Sequence, residues 1–581
     1  MTAAENPYAD TIVTESDILV VGGGISALFA ACKAKELGRD VVLVDKARPG
    51  RSGCTAVASG VFHFYKRSDD QEAVVQGLTS PVTNQELFKR TMYETEEAAM
   101  FMDAIGVEFI KERGEIVRVG GPRLSFGHSA MMAQGGPQMA LALRAETLRR
   151  GVRVVERVMI TGLLTSDGDL PTSGSVTGAV GFNTRTGQCH VFRAKAVIIA
   201  TGPFGIPFNR YDKSFNTRLM PIDSGGEGLN AMYECGTVMS KLEIGYRTPG
   251  PPEFCNAPGL EMFTAIGGNS VWMNRLGERF LSEGFRKEEF GRSSIMTAIL
   301  RENFGGRGPA GINISHLSPE QHRLFEQVIP IIMLNYKSAG YDMTKDTVPY
   351  SVGAPIGKGV NGAGARIDEN GATNIPGLYA AGNCTDGAYV CLGQALDSCA
   401  IIGWWAARGA AAYAGDRAKA LPAIDWTQVA RFQARHAAPL KVKGGLTFEQ
   451  VRDKLTALQI SLTPTYNDKN IAASLANLQQ ITEEDLPRLQ ADSARELARI
   501  ASLKPAVPII ELVLAVMGHR TESRGNLIRD DYPYTDNEKW LIHTLVQRDG
   551  KRFRLWDEEI PPAWRLLNPP TDRPLHPIFR K

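Results

Sequence analysis

The sequence has few of the features that mark metal-cluster, nucleic-acid and membrane proteins. Its 8 cysteines are scattered and include no Cys-x-x-Cys pair, which argues against an iron–sulfur cluster or another metal held by this chain alone. The formal net charge of the 581 residues is only +2, whereas nucleic acid or an anionic membrane would need a concentrated basic surface. We therefore expect neither of these partners.

Long hydrophobic runs and targeting signals are also missing. The most apolar stretch, residues 506–517, is shorter than the roughly 20 residues of a membrane-spanning helix. Residues 1–10 are polar and acidic, unlike a secretory signal. These absences predict a cytoplasmic protein with no direct membrane span.

What is present is an ordinary globular composition, with 43% hydrophobic and 22% charged residues, in a chain long enough for two or more domains. Near its start, the apolar run 17–21 leads into Gly22-x-Gly24-x-x-Ala27 and a stretch of helix-forming composition at 26–37. A second apolar run, 41–44, ends at Asp45. This order of strand, turn, helix and strand predicts a βαβ unit of the dinucleotide-binding kind.

The chemistry of that unit follows from its residue types. Glycine at positions 22 and 24 lets the backbone approach a diphosphate, which the N-terminus of the following helix stabilises. Asp45 is placed to accept hydrogen bonds from a ribose. The pattern predicts a bound dinucleotide but does not separate FAD from NAD.

Later strands end in small residues. A strand is expected at 152–155, the run 196–199 leads into Ala200-Thr201-Gly202, and residues 378–382 repeat that small-residue ending. Both endings belong at the carboxyl ends of sheet strands, where open α/β sheets bind ligands.

Several short motifs are spaced along the chain in a characteristic order. They are residues 17–24, 51–60, 274–280, 375–382, 520–525 and 529–533, together with Ala200-Thr201-Gly202 and Gly226-Glu227-Gly228. They resemble the flavoprotein subunits of succinate dehydrogenase, fumarate reductase and adenylylsulfate reductase, and L-aspartate oxidase of the same group. The resemblance covers nearly the whole chain and implies FAD as the cofactor.

The expected fold class is α/β, with a Rossmann-like FAD-binding domain, an inserted α+β capping domain and a C-terminal helical domain. Composition places the FAD-binding domain at 1–240 and 349–420, and the capping domain, which would cover the substrate, at 241–348. The helical domain then follows at 421–545. An extended arm rich in proline is expected at 546–581, because proline forbids regular helix.

The motifs also predict which residues contact FAD. They are Gly22, Gly24, Ile25, Ser26, Ala27, Asp45, Lys46, Ser52, Gly53, Cys54, Thr55, Ser59, Gly60, Val158, Ala200, Thr201, Gly202, Gly226, Glu227, Gly382, Asn383, Ala395 and Leu396. Succinate dehydrogenases place a histidine that bonds covalently to FAD where this chain has Gly53 and Cys54. The resemblance therefore implies non-covalent FAD. Cys54 is interpreted as a small packed residue near the ring, with reaction with the flavin as the alternative.

One arginine is the leading catalytic candidate. The reductases protonate substrate carbon through an arginine in the inserted domain, and Arg292 occupies the corresponding place in this sequence. It would bind a substrate anion or donate a proton, and an acid role would require a nearby base because guanidinium is hard to deprotonate. Arg286 and Arg247 are neighbouring alternatives, and each of the three has a solvated or ion-paired role as its structural alternative.

Three further residues are catalytic candidates. His63 follows the segment that lies along the flavin, His128 resembles part of a Gly-Gly-His-Ser segment of aspartate oxidase, and Tyr350 lies on the return strand into the FAD domain. Each has a structural alternative: a histidine bonded within the core, or a buried tyrosine with a backbone partner.

The dicarboxylate ligands of the family are missing. Arg247-Thr248-Pro249-Gly250 replaces a His-Pro-Thr motif, no histidine lies between His322 and His436, and Cys391 stands where a carboxylate-clamping arginine is usual. These replacements lose charge-assisted hydrogen bonds to a carboxylate. Succinate and fumarate are therefore disfavoured as substrates. Asn383 replaces a glutamate on the FAD side and keeps hydrogen-bonding capacity.

Three functions remain open. The first is an FAD-dependent oxidoreductase that moves a hydride or electron pair between a small substrate and an iron–sulfur or other electron-transfer subunit. The second is an adenylylsulfate reductase-like alpha subunit. The third is an electron-relay subunit without a small substrate. The proline-rich arm suggests a contact beyond the monomer, in a homo- or hetero-oligomer.

Acid denaturation tests the expected attachment of FAD. Because Gly53 and Cys54 replace the bonding histidine, we expect precipitation with acid to release all the flavin into the supernatant, measured by its absorbance. Flavin fluorescence that stays with the polypeptide on a denaturing gel would contradict non-covalent binding and implicate Cys54.

Overall fold

The computed structural model describes residues 11–58, 60–66, 68–69, 81–119, 129–204, 224–244, 249–250, 271–281, 291–328, 330–352, 362–387, 396–416, 420–525, 527–565 and 569–579. The strands are β1 Ile12–Val21, β2 Val41–Asp45, β3 Val61–His63, β4 Lys111–Glu112, β5 Glu115–Ile116, β6 Arg118–Val119, β7 Ser129–Met131, β8 Arg153–Glu156, β9 Val158–Thr165, β10 Val176–Asn183, β11 Cys189–Ile199, β12 Met239–Ser240, β13 Pro249–Gly250, β14 Val271–Met273, β15 Gly311–Asn313, β16 Thr347–Pro349, β17 Ser351–Val352, β18 Gly364–Ala365, β19 Leu378–Ala380, β20 Ile542–Asp549 and β21 Arg552–Glu559. The α-helices are α1 Ile25–Glu36, α2 Gln85–Ala104, α3 Gly135–Arg149, α4 Glu227–Glu234, α5 Gly291–Phe304, α6 Pro319–Val328, α7 Pro330–Ser338, α8 Leu396–Asp416, α9 Trp426–Lys441, α10 Phe448–Ile460, α11 Asp468–Gln480, α12 Ala494–Leu503, α13 Ala506–His519 and α14 Asn537–Trp540.

A seven-stranded sheet forms the centre of the FAD-binding region. Its order is β8-β2-β1-β11-β10-β9, and β19 also pairs with β11. β1, β2, β8, β11 and β19 run parallel, whereas β9 and β10 are antiparallel additions. The apolar end of β1 is buried, and α1 packs against α8 beside the sheet. This burial on both sides explains the unbroken Val and Ile runs of the parallel strands.

The strand register brings the ends of four strands to one edge. Val21 of β1 lies opposite both Val44 of β2 and Ile199 of β11. Ile199 in turn lies opposite Ala380 of β19. The residues that follow these strands therefore meet at one edge, although they come from distant parts of the chain.

The segment that follows the first part of this sheet packs around a second apolar cluster, which also includes Val61 of β3 and Met131 of β7. β14, β15 and β16 form a three-stranded antiparallel sheet. Trp272, Ile299, Ile312, Tyr336 and Val348 belong to one buried apolar cluster there. An α+β unit therefore lies where a capping domain was expected, and the limits proposed for the individual domains stay predictions.

The C-terminal part is helical up to a final hairpin. Helices α9 to α13 lie within the residues predicted as a helical domain. Within the described residues, one helical stretch, Ala494–His519, is long and apolar enough by length and composition to cross a membrane, and 67% of its most apolar window is buried in the fold. A helix that packs in the core of a soluble fold passes the same test.

Part of the expected C-terminal arm is a β-hairpin. β20 and β21 pair from Ile542 opposite Glu559 to Asp549 opposite Arg552, and β20 also pairs with β12. Residues 546–559 therefore differ from an extended arm, because two successive strands of this hairpin satisfy each other's backbone. Beyond them, the His576 amide donates to the Pro533 carbonyl at 2.8 Å and Arg301 donates to the Ile578 carbonyl at 2.9 Å. The described C-terminal residues therefore contact earlier parts of this chain.

A buried charge network supports the start of this hairpin. Arg520, Glu522 and Arg524 have almost no exposed surface. The Glu522 carboxylate accepts from Arg520 and Arg524, each at 2.7 Å, and from the Asp536 amide at 2.8 Å. Arg520 also pairs with Glu243 at 2.9 Å, which ties β12 to the end of α13.

Glu522→Gln tests this network. Removing a carboxylate that two buried guanidinium groups share leaves buried positive charge uncompensated, so we expect the free energy of unfolding to fall by about 3–5 kcal/mol. Urea denaturation of the purified protein measures the change. Glu559→Gln, an exposed position on β21, should stay within about 0.5 kcal/mol of the parent. Equal losses in the two variants would contradict the role of Glu522.

Candidate active site

A cleft opens at the edge where the parallel strands end. It encloses about 1100 Å³, its open mouth included, which is at the upper end of the sizes of small-molecule sites. Predicted residues that line it are Gly22, Gly24, Ile25, Ser26, Asp45, Lys46, Ser52, Gly53, Cys54, Thr55, Val158, Ala200, Thr201, Gly202, Glu227 and Asn383. The fold therefore gathers into one site residues that were predicted from separate motifs.

The turn after β1 requires glycine. Gly22 has φ +127°, and a Cβ there would lie 2.2 Å from the Ala200 carbonyl oxygen. A Cβ on Gly23 would lie 2.8 Å from the Asp45 carboxylate. Backbone this close to the neighbouring strand ends leaves no room for a side chain. The turn thus forms a bare backbone surface at the cleft.

The N-terminus of α1 presents amide donors to the same cleft. Gly24 is the N-cap and supplies no capping side chain, and the first turn contains no acidic residue. The Ile25 amide donates to the Thr55 hydroxyl at 2.9 Å. Within the described part of the chain, the amide of Ser26, which lines the cleft, has no hydrogen-bond partner. Such amides, with the positive end of the helix dipole, stabilise an anion.

Acidic and basic side chains line another part of the cleft. Asp45 accepts from the Ala47 amide at 2.7 Å, and burial raises the pKa of its carboxyl group. Lys46 pairs with Glu227 at 2.6 Å, which links the end of β2 to the start of α4. These groups offer hydrogen-bond acceptors for sugar hydroxyls beside the anion-binding turn.

Comparison with known proteins decides the family. A family model described as FAD binding domain matches residues 17–395, more than half of the chain. A second model, described as fumarate reductase flavoprotein C-term, matches residues 457–572. The chain belongs to the fumarate reductase and succinate dehydrogenase flavoprotein family. The expected FAD cofactor, oxidoreductase class and α/β fold with a C-terminal helical domain are confirmed.

Known proteins are similar to this chain over most of its length. One subunit of the fumarate reductase (CoM/CoB) of Methanothermobacter marburgensis is 24% identical, with 92% of this chain and 97% of that protein covered. L-aspartate oxidase of Vibrio cholerae is also 24% identical, over 71% of this chain and 78% of that enzyme. Among solved structures, a variant of E. coli quinol fumarate reductase has a TM-score of 0.80 at 19% identity, covering 97% and 98% of the two chains. Adenylylsulfate reductase of Archaeoglobus fulgidus has 0.79 at 21%, covering 95% and 96%.

The cleft of this flavoprotein fits the diphosphate of FAD. No side chain projects from Gly22 or Gly23, so backbone lines the cleft there, and the Ser26 amide supplies a donor without a partner in the described residues. When bound, FAD supplies the hydride and electron chemistry that amino-acid side chains lack. The protein supplies its position and the surrounding charge.

Several predicted FAD residues lie behind the cleft wall. Ala27 is fully buried in α1, and Gly382 lies so close to Ser26 that a Cβ would be 2.2 Å from its hydroxyl. Gly60 and Gly226 pack in the same way against Gly135 and Phe204. Leu396 begins α8 and is half-buried. Ser59 and Ala395 lie outside the described residues.

The catalytic candidates are not all gathered at the cleft. His63 is buried on β3, and its Nδ1 lies 2.6 Å from the Asp397 carboxylate, which is also fully buried. Tyr350 packs edge-on against Trp272 at 5.1 Å, within the core of the inserted segment. Neither is among the residues that line the cleft. Arg292 is the second residue of α5, and its side chain, like all of His128, lies outside the described residues.

Sequence reasoning missed some cleft residues. Met159, Ile160, Pro203, Ser224 and Cys399 also line it. The first two adjoin the predicted Val158, so a wider window around that residue would have included them. Cys399 carries no local signal, since it reaches the cleft through α8. Burial raises the pKa of its thiol, so it remains protonated, and it donates weakly to Asn383 at 3.4 Å.

Gly22→Ala tests the turn as the cofactor cradle. A Cβ at 2.2 Å from the Ala200 carbonyl oxygen must displace backbone, so we expect purified protein with little or no FAD, measured as the ratio of flavin to protein absorbance. Gly38→Ala is the matched control, because Gly38 also has positive φ, +76°, but nothing lies within 4 Å of its Cβ position. Full FAD content in Gly22→Ala would contradict this role.

Proposed function

We propose that this flavoprotein transfers a hydride or electron pair between FAD and a small substrate other than succinate or fumarate, and exchanges electrons with a protein partner. The observation that carries the proposal is the inserted segment. Its three-stranded sheet and helices α5 to α7 form a folded unit with a buried apolar core. A flavoprotein that only relayed electrons between proteins would have no use for such a cap.

The substrate class is proposed from the residues that the chain lacks. Pro249 and Cys391 stand where the dicarboxylate enzymes of the family use a histidine motif and an arginine. Neither residue supplies a charge-assisted hydrogen bond to a carboxylate. Relatives named fumarate reductase and L-aspartate oxidase therefore support the reaction class for this chain and not its substrate.

Arg292 and His63 are the proposed acid–base and anion-binding groups. Arg292 lies at the start of α5, on the inserted segment. His63 is held by Asp397 at 2.6 Å with both side chains fully buried. A carboxylate in that position fixes the orientation of the imidazole. We propose that His63 and Arg292 handle the proton and the charge of the substrate, with His128 and Tyr350 as further candidates.

An electron-transfer subunit is the proposed partner. Several relatives are named as subunits, among them the flavoprotein subunit of 8-methylmenaquinol:fumarate reductase of Wolinella succinogenes. This chain contains no Cys-x-x-Cys pair with which to hold an iron–sulfur cluster itself. An iron–sulfur or other redox protein that docks on the chain in the cytoplasm would then complete the electron path.

Anaerobic titration of the flavin distinguishes the alternatives. Reduced holoprotein is mixed in turn with fumarate, with adenylylsulfate, with a panel of unsaturated acids and with candidate redox proteins, and the flavin absorbance is followed. We expect a small molecule other than fumarate to restore the oxidised spectrum. Reoxidation by adenylylsulfate would select the adenylylsulfate reductase-like alternative. A response to redox proteins alone would overturn the enzyme proposal in favour of an electron relay.

Arg292→Lys tests the proposed anion-binding residue. Lysine keeps the charge but loses the fork of donors that aligns a substrate anion, so we expect kcat/KM for the substrate found above to fall about 100-fold with FAD content unchanged. Arg323→Lys, at an exposed site on α6 of the same segment, is the control and should retain full activity. Unchanged kcat/KM in Arg292→Lys would direct attention to Arg286 and Arg247.

A further inference from the structure

A second cleft lies where the central sheet meets the C-terminal helices. Residues of β9, α4, α9, α12 and the turn before α13 enclose about 690 Å³, the open mouth included. We call it the junction cleft. Glu227 lines both this cleft and the cleft at the β1–α1 turn, which we call the flavin cleft. Helices α9 and α12 contribute no described residue to the flavin cleft. The junction cleft is therefore a neighbouring site with walls of its own.

One basic group of the junction cleft has no counter-charge. Arg435 is neutralised by Glu234, whose carboxylate accepts from it at 2.7 and 3.1 Å, and Glu227 is paired with Lys46. Lys504 pairs with no carboxylate in the part of the chain that the structure describes. Burial, and then the charge of Arg435, lower the pKa of the Lys504 ammonium. The cleft thus holds a partly desolvated cation without a counter-charge.

Polar atoms at the same place lack partners. The Nε2 atom of His436 is buried without a hydrogen bond, and the ring stacks on Phe182 with 3.6 Å between centroids. Asn230 is 7% exposed, and its Oδ1 is also without a partner. Buried polar groups are nearly always hydrogen-bonded. The His436 nitrogen therefore lacks a partner that a hydrogen-bond acceptor on a ligand would supply, whereas the Asn230 oxygen lacks a donor.

Burial lowers the pKa of His436 to about 4, with Lys504 and Arg435 contributing. The imidazole is therefore neutral near pH 7 and can donate through one ring nitrogen only. A neutral histidine beside an ammonium suits a ligand that carries one negative charge and accepts hydrogen bonds. An anion would also compensate the charge of the Lys504 ammonium, which has no carboxylate partner among the described residues.

The remaining walls are apolar. Phe432, Leu497 and Ile500 are buried core residues that face this cleft, and Pro439 and Pro508 complete the wall. An inorganic ion would leave this surface against water, whereas an organic body would cover it. The class of ligand follows from three features of the cleft: the cationic Lys504, the neutral donor His436 and the apolar wall.

We propose that the junction cleft binds a small organic carboxylate, with its charged group on Lys504 and His436 and its apolar body against Phe432, Leu497 and Ile500. The site is separate from the flavin chemistry. A ligand there would lie between the FAD-binding sheet and helices α9 and α12, next to Glu227.

Calorimetric titration of the holoprotein with benzoate, benzamide and inorganic phosphate tests the proposal. We expect saturable binding of benzoate, with benzamide at least tenfold weaker because it lacks the charge and phosphate at least tenfold weaker because it lacks the apolar body. Benzamide or phosphate binding as tightly as benzoate would overturn the assignment, as would the absence of benzoate binding. Flavin content and activity are not the readout, so failure here is distinguishable from failure of the proposed reaction.

Lys504→Met removes the ammonium and keeps an unbranched apolar side chain. We expect at least a tenfold loss of benzoate affinity with no fall in Tm, since the ammonium is desolvated and unpaired in the described fold. Lys443→Met is the matched control, because that side chain is 80% exposed in the same helical region, and it should bind benzoate as the parent does. His436→Phe, which keeps the stack on Phe182, gives a second and independent loss. Unchanged affinity in both Lys504→Met and His436→Phe would refute the site.

Discussion

The approach of the β1–α1 turn to the end of β11 is the constraint on which the active site depends. A Cβ at Gly22 would meet the Ala200 carbonyl oxygen at 2.2 Å, so the two backbones leave no space for a side chain between them. That closeness exists because Val21 is in register with Ile199 on one side and Val44 on the other. The cleft floor is therefore backbone, and the helix N-terminus beside it adds donors without a side chain.

Several buried or half-buried charged groups are compensated by a group of opposite charge. At the cleft, Lys46 and Glu227 neutralise each other at 2.6 Å. At the hairpin, Glu522 serves two buried guanidinium groups. Lys504 differs from these groups, because it forms no ion pair with a carboxylate among the described residues. A half-buried cation without a counter-charge is a place where an anionic ligand would be stabilised.

Much of the fold and of the cofactor site could be predicted, because local sequence patterns encode these features. Apolar runs ending at Gly22 and Asp45, and the small residues at Ala200, reveal parallel strands with ligand-binding ends. Other parts could not be predicted in this way. An extended arm was expected over residues 546–581 from prolines that all lie beyond residue 560, yet residues 546–559 pair as strands, and Leu545 and Val546 are buried beside β12. No composition reveals such a partner.

The sequence by itself determined the class of cofactor, because a glycine turn and a terminal aspartate act through their chemical type, and it predicted that the dicarboxylate ligands are missing. Tertiary structure decided which residues meet. His63 and Asp397 are 334 positions apart and lie at 2.6 Å, and Lys504 reaches His436 only through the packing of α12 on α9. Contacts of that kind depend on the packing of distant elements, and no local spacing in the sequence encodes them.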